Sequence, residues 1–386
     1  GDKVVRALRG NWENCILWLV CAVLCLCPQS TRAAEPQVGA ESALLLDMMT
    51  GQVLWVHNGY EELPPASTTK VLTALLALDI APLERECIVT SKAAAVGESS
   101  VGLLAGESFT LGELLDAALL KSANDACYAI AEGVVGSELF FVRLMNLKAD
   151  ALGLFGASLQ NTNGLPAEGH TLSCYELAIL SREAMRNEEF RSRVGSSYGE
   201  MTGGSYNRSL KNTNKLLAMD DSVTGIKTGT TNAAGACLVS SMERNGRGVI
   251  AVVLHSPNRY NESLNLLNYG IDEFKNVTLL TRGKQLGWFS AGGGGVLLPA
   301  VAAVDLTVTV PMDVAGLETA YCWREMGELD AIKAGDLLGT LSVTYQGELL
   351  GQVNLLAGAS YQPPGWRVNA ARLATALKRI LPFGGE

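Results

Sequence analysis

A serine hydroxyl is a weak nucleophile until a neighbouring base takes its proton. A lysine one helical turn from a serine can be that base. The chain has such a pair in Pro64-Pro65-Ala66-Ser67-Thr68-Thr69-Lys70. The spacing places Ser67 at a helix start with Lys70 on the same face. Burial helps a lysine lose its proton, because desolvation disfavours the ammonium form. The unpaired N–H groups of a helix start favour negative charge developing nearby. Ser-x-x-Lys alone is a common string, so its partners matter. Ser122-Ala123-Asn124 reads as a break between two helices that can aim a hydroxyl and an amide into a cleft. The hydroxyl can relay a proton; the amide can bind a substrate carbonyl or hold a lysine. Both residues are also ordinary loop formers. Lys227-Thr228-Gly229, followed by Thr230 and Thr231, precedes an apolar strand. Its Lys and Thr suit a carboxylate, and Gly229 admits a ligand backbone; a solvated lysine in a turn has the same string.

The elements that must position these residues are legible in outline. Residues 38–275 mix helical and strand patterns. Leu44-Leu45-Leu46 and Val53-Leu54-Trp55-Val56 flank a turn and read as a hairpin. Residues 67–80 read as a strongly apolar helix. Thr110-Leu111-Gly112-Glu113 is a capping box opening a helix through Leu120, and 126–135 is a further helical stretch. Strands over 236–243 and 249–254 are joined by Arg244-Asn245-Gly246-Arg247, and Asn-Gly is the strongest short hairpin signal. Residues 261–274 then read as an amphipathic helix. Helices mixed with antiparallel strands predict an α+β domain, not a βαβ repeat. Over 276–362 short β-rich runs punctuated by glycines predict a small all-β domain with a spacer or docking role. Residues 363–386 form a tail. After Pro363-Pro364 and Trp366, a helix over 369–381 can gather Leu373, Leu377, Ile380 and Leu381 on one face beside Arg372, Lys378 and Arg379. Such a helix can lie on an anionic membrane surface or pack on the β domain.

Composition narrows the function. The chain has 386 residues, room for one large domain or two ordinary ones. With 48% hydrophobic and 18% charged residues it can bury a core. A net charge of −9 argues against nonspecific nucleic-acid binding. Three histidines, His57, His170 and His255, lack metal-ligand spacing, so no metal centre is expected. Lys3, Arg6 and Arg9 precede a short apolar run from Cys15 to Cys27, then small residues near Ala33. That order reads as a secretory signal over 1–33, with an uncleaved membrane anchor as the alternative. Losing that segment, with its surplus of two positive charges, takes the net charge to −11. Cys87, Cys127, Cys174, Cys237 and Cys322 remain. They are odd in number and widely spread, which predicts scattered buried thiols.

In order along the chain, Ser67-x-x-Lys70, Ser122-x-Asn124 and Lys227-Thr228-Gly229 resemble the motif set of the low-molecular-mass penicillin-binding proteins, the serine-type D-alanyl-D-alanine carboxypeptidases. The stretches 43–56, 63–78 and 225–239, the small β domain and the tail also resemble that family, so the likeness covers nearly all of the chain after residue 33. It implies a β-lactamase/DD-peptidase-like catalytic domain followed by a small all-β domain. It further implies Ser67 as the acylated nucleophile, Lys70 as its base, and Ser122 and Asn124 as the proton and substrate network. Lys227, Thr228 and Arg259 would bind the substrate's terminal carboxylate. The backbone N–H groups of Ser67 and Thr230, the latter following Gly229, would form the oxyanion hole. Two departures stand out: Ala123 replaces an Asp common in β-lactamases, and Thr230 stands where some members carry His. The implied partners are peptidoglycan stem peptides, β-lactam antibiotics and, through the tail, an anionic membrane surface on the outer face of the cytoplasmic membrane. No nucleic acid, metal or organic cofactor is implied. A β-lactamase is the competing enzyme, but no convincing Glu-x-x-x-Asn loop that would position a deacylating water follows Asn124. A non-catalytic wall-binding protein is the competing non-enzyme.

Overall fold

The strand Ser42–Asp47 is buried along its whole length. Side chains alternate across a strand, so Leu44 and Leu46 enter one core while Ala43 and Leu45 enter another. A strand with two apolar faces belongs inside a sheet covered on both sides. The computed structural model, which describes residues 34–292, 295–327 and 329–380 (backbone only for 377–380), places it there. A five-stranded antiparallel sheet runs in the order Val53–His57, Ser42–Asp47, Arg247–Leu254, Gly235–Arg244, Val223–Thr231. Leu238, Val249, Ala251 and Val253 pack on the helix Arg259–Glu273 through Leu266, Leu267 and Ile271. The opposite face, with Val239, Ile250 and Val252, meets a layer of helices. The hairpin turn is as expected: Asn245 and Gly246 both have positive φ, 54° and 77°, and Arg244 pairs with Arg247.

The helix Lys70–Ile80 is buried on all sides from Lys70 through Ala77, as a helix apolar all round must be. Leu111–Leu120, Asn124–Val135 and Cys174–Ala184 surround it. The capping box at Thr110 and Glu113 is present in both directions, at 3.2 and 3.1 Å. Four boundaries differ from expectation. The segment begun by Ser67 opens with a 3₁₀ turn, Ala66–Thr69, before the α-helix starts at Lys70. The hydroxyls of Thr68 and Thr69 donate to the carbonyls of Pro65 and Ala66, at 2.6 and 2.9 Å, and these local bonds tighten the turn. The next helix starts at Asn124, two residues early. The helix Arg259–Glu273 begins two residues early and stops before Phe274, which opens a strand.

That strand, Phe274–Leu280, pairs with Leu306–Pro311. The ribbon covers a second antiparallel sheet, ordered Gln285–Ala291, Val296–Ala302, Glu348–Ala357, Leu337–Tyr345, Glu318–Trp323. Val308, Val310, Leu341, Val343, Val353 and Leu355 form their joint core. Two of these strands gave no sequence signal. Glu318–Trp323 is exposed at every position, so no apolar alternation marks it. Its Cys322 is exposed too, whereas Cys87, Cys127, Cys174 and Cys237 are buried thiols. Polar contacts join this region to the first sheet's hairpin turn: Thr50 Oγ1 lies 2.6 Å from Thr309 Oγ1, and Gln52 Oε1 accepts the Thr309 N–H at 2.6 Å. The tail helix runs Gly365–Ile380. Residues 1–33, Leu381 and Phe383 lie outside the described residues.

Candidate active site

The 3₁₀ turn sits beneath the last strand of the first sheet. Its entry is tight: Ala66 has φ +50°, a conformation a residue with a Cβ adopts only when its surroundings impose it. A Cβ added to Gly229 would lie 2.9 Å from Ser67 N and 3.1 Å from the Pro65 carbonyl. A Cβ on Gly164, at φ +84°, would lie 1.8 Å from the Ala66 carbonyl. Two glycines thus let two other segments close on the serine turn. Val223–Thr231 is last in the sheet order, so among the described residues one of its edges has no strand partner.

Lys70 is fully buried, while Ser67 is half-buried. Lys70 Nζ donates to Ser67 Oγ at 2.8 Å, to Asn124 Oδ1 at 2.8 Å and to the Asn163 carbonyl at 2.6 Å. Those three bonds use every donor of an ammonium group. Burial lowers the Lys70 pKa to about 8, partly opposed by the negative fields of the Asp125 and Glu98 carboxylates. Burial also pushes the Cys127 thiol up to about 11, so it is no thiolate nucleophile at neutral pH.

Ser122 and Asn124 lie where two helices break. Ser122 takes φ +63° between Leu111–Leu120 and Asn124–Val135. Asn124 Nδ2 donates to the Gly97 carbonyl at 3.0 Å, which turns Oδ1 toward Lys70. Asp125 braces the loop above: its carboxylate accepts from Ser100 Oγ, Val101 N and Leu103 N.

Lys227 is no solvated turn residue; it is buried on the strand and donates to the Thr228 carbonyl at 3.0 Å. Burial, then the charges of Lys70 and Arg259, hold its pKa well below the ordinary lysine value. Thr228 Oγ1 is 2.7 Å from Thr213 Oγ1. Arg259 reaches across the strand's end. Its Nη1 donates to the Gly229 carbonyl at 2.7 Å, to Thr230 Oγ1 at 2.8 Å and to the Cys237 carbonyl at 3.2 Å, and its guanidinium lies over Tyr260. The fold therefore brings Ser67, Lys70 and Asn124 into direct contact. It sets Gly229 against Ser67 and ties Thr230 to Arg259. Three basic side chains on an acidic chain converge there, an arrangement suited to an anionic ligand.

Several participants escaped the sequence reading. Asn163 supplies the third acceptor of Lys70, and Asn161 Oδ1 holds that turn by accepting from the Asn163 and Gly164 N–H groups. The run Asn161-Thr162-Asn163-Gly164-Leu165-Pro166 carried a turn signal, but nothing in it named Lys70 as partner. His170 is another. Its Nδ1 accepts the Gln160 N–H at 3.1 Å, so Nε2 carries the proton and donates to Thr69 Oγ1 at 2.9 Å. Thr69 Oγ1 in turn donates to the Ala66 carbonyl, so a neutral imidazole steadies the serine turn from behind.

A family profile described as D-alanyl-D-alanine carboxypeptidase matches residues 29–258. The chain belongs to that family. Among curated relatives it is 32% identical to D-alanyl-D-alanine carboxypeptidase DacF of Bacillus subtilis over 352 residues, covering 87% of this chain and 89% of the relative. It is 29% identical to DacC of Escherichia coli, covering 86% of each. Among solved structures, the D-alanyl-D-alanine carboxypeptidase DacD from Francisella tularensis aligns with a TM-score of 0.70 at 25% identity, over 86% of this chain and 96% of that one. Penicillin binding protein 5 from Haemophilus influenzae aligns with a TM-score of 0.76 over 86% of this chain and all of that one; at 23% identity it speaks for the fold alone. Both are long enough to include the second sheet region, so the shared family architecture is α+β with an all-β part after the catalytic fold.

Proposed function

We propose that this serine-type D-Ala-D-Ala carboxypeptidase removes the terminal D-alanine from peptidoglycan stem peptides through an acyl-enzyme on Ser67, and that penicillin acylates the same oxygen. The observation that carries the reading is the buried Lys70 Nζ, 2.8 Å from both Ser67 Oγ and Asn124 Oδ1. With a pKa of about 8, about a tenth of Lys70 is neutral at pH 7. The neutral amine takes the Ser67 proton as Oγ attacks the carbonyl between the two D-alanines. The oxyanion forms against the N–H groups of Ser67 and Thr230; the close passage of Gly229, the residue before Thr230, by Ser67 N supports this reading. Ser122 and the Lys70 ammonium return the proton to the leaving amine. D-Alanine departs, and water hydrolyses the ester. Lys227, Thr228 and Arg259 hold the terminal carboxylate, whose charge favours the protonated form of Lys227 on binding. Ser67→Ala tests this directly. Intact mass after penicillin should show one adduct on the wild type and none on the variant, and D-alanine release should vanish with it. Acylation of the variant at the wild-type level would overturn the assignment.

We infer further that the mature protein works outside the cytoplasm, exported by residues 1–33, with the tail resting on an anionic membrane surface. Trp366 and Leu373 are exposed on the tail helix, and Arg367 donates to the Gly292 carbonyl at 3.2 Å, which ties the helix start to the β region. Arg367, Arg372, Lys378 and Arg379 face a single acid, Glu386, over 366–386, a cationic excess that suits anionic lipid. No helix among the described residues is long and apolar enough to cross a membrane. Truncation before Trp366 should release the protein from anionic vesicles while activity on soluble peptide persists; vesicle binding that survives truncation would remove this claim.

A further inference from the structure

Arg259 meets the protein unevenly. Its Nη1 is committed to the Gly229 carbonyl, Thr230 Oγ1 and the Cys237 carbonyl. A ligand carboxylate must then be met on the other edge of the guanidinium, through Nη2 and Nε. Among the described residues, the hydrogen-bond partner of Nη2 is the Tyr260 hydroxyl, at 3.3 Å, and the guanidinium carbon lies 5.0 Å from the centre of the Tyr260 ring. The ring therefore decides which way the open edge of Arg259 faces.

The same side chain reaches a second segment. Its hydroxyl donates to the Thr213 carbonyl at 3.2 Å, and Lys215 Nζ lies 5.8 Å from the centre of its ring. Thr213 carries the hydroxyl that meets Thr228 Oγ1 at 2.7 Å. A hydroxyl has one proton to give. For Thr228 to give its own to a carboxylate, Thr213 must be the donor of the pair. The placement of Thr213 therefore decides whether Thr228 can serve a ligand. The Thr213 N–H is fixed by the Leu120 carbonyl at 3.0 Å, and Tyr260 holds the carbonyl of the same residue.

We propose that Tyr260 is a positioning residue: it holds the open edge of Arg259 and the Thr213–Thr228 pair in one frame, and so sets the preference for a substrate that ends in a carboxylate. This rests on the function proposed above, in which Arg259 and Thr228 bind that carboxylate. Both bonds of the Tyr260 hydroxyl are long, so the ring face supplies most of the hold. The experiment compares kcat and KM for Nα,Nε-diacetyl-L-lysyl-D-Ala-D-Ala and its C-terminal amide in the wild type, Tyr260→Leu and Tyr260→Phe, following release of D-alanine or D-alaninamide. The wild type should favour the acid. Tyr260→Leu should cut that preference roughly fivefold, the scale of a half-buried cation–π contact, with the loss falling on KM for the acid and little of it on the amide. Tyr260→Phe keeps the ring and should retain most of the preference. A Tyr260→Leu enzyme slowed alike on both peptides would make the residue merely structural. That result, or a wild type that cleaves acid and amide equally well, overturns the proposal while the carboxypeptidase reading stands. Release from neither peptide by the wild type overturns both.

Discussion

Replacing Asn124 with Asp would place a carboxylate where an amide oxygen now accepts from Lys70 at 2.8 Å. The shape hardly changes; the charge does. If neutral Lys70 is the base, the rate constant for penicillin acylation in the wild type should climb tenfold per pH unit at low pH and level off above the Lys70 pKa of about 8. An opposite charge within 4 Å stabilises the protonated form by about one to three pKa units. The rising limb of Asn124→Asp should therefore move up by that amount. At pH 7 its neutral Lys70 fraction, and with it the acylation rate, should drop about ten- to a thousandfold, and raising the pH should restore much of the loss. Stopped-flow acylation from pH 6 to 10 measures both curves. A flat wild-type profile, or a variant slowed equally at every pH, would refute the role given to the buried lysine.

Two further substitutions test the geometry behind this chemistry. Gly229→Ala would push a methyl group to 2.9 Å from Ser67 N; displacing the turn by a fraction of an ångström should slow acylation by about a hundredfold while leaving the fold, checked by circular dichroism, in place. His170 has its pKa lowered by burial to about 4, so between that value and the ordinary 6.5 the folded chain binds fewer protons than the unfolded one. Stability should then rise with pH across this window and fall on acidification, by about 3 kcal/mol at its low end. Chemical denaturation at pH 6.5 and 4.5 should show a smaller acid loss in His170→Gln, and an equal loss in both proteins would exclude His170 as its source.

The three motifs were legible because each names a chemistry and their order is specific. The hairpin at Asn245-Gly246, the capping box at Thr110 and the hairpin of Leu44–Leu46 with Val53–Val56 were legible because local rules and the final packing agree. Boundaries slipped where tertiary contacts or side-chain bonds override those rules. At Ser67 the hydroxyls of Thr68 and Thr69 tighten the first turn. At Glu318–Trp323 exposure on both faces erased the apolar period.

The missing parts of the site share a different cause. Asn163 serves Lys70 through its backbone carbonyl, and a carbonyl is present at every position, so residue type cannot announce it. His170 acts on the serine turn from 101 positions away in sequence, and Thr213 meets Thr228 hydroxyl to hydroxyl. None of these contacts has a local pattern. The Lys70 contacts arise because its helix is buried on every side from Lys70 through Ala77, which forces the buried amine to find three acceptors inside the protein. The burial that lowers the Lys70 pKa is therefore the same constraint that recruits Asn124 and Asn163. Reactivity and positioning are nevertheless separable by the kind of variant: one that keeps the geometry but changes the charge moves the pH limb, while one that shifts the turn lowers the rate at every pH.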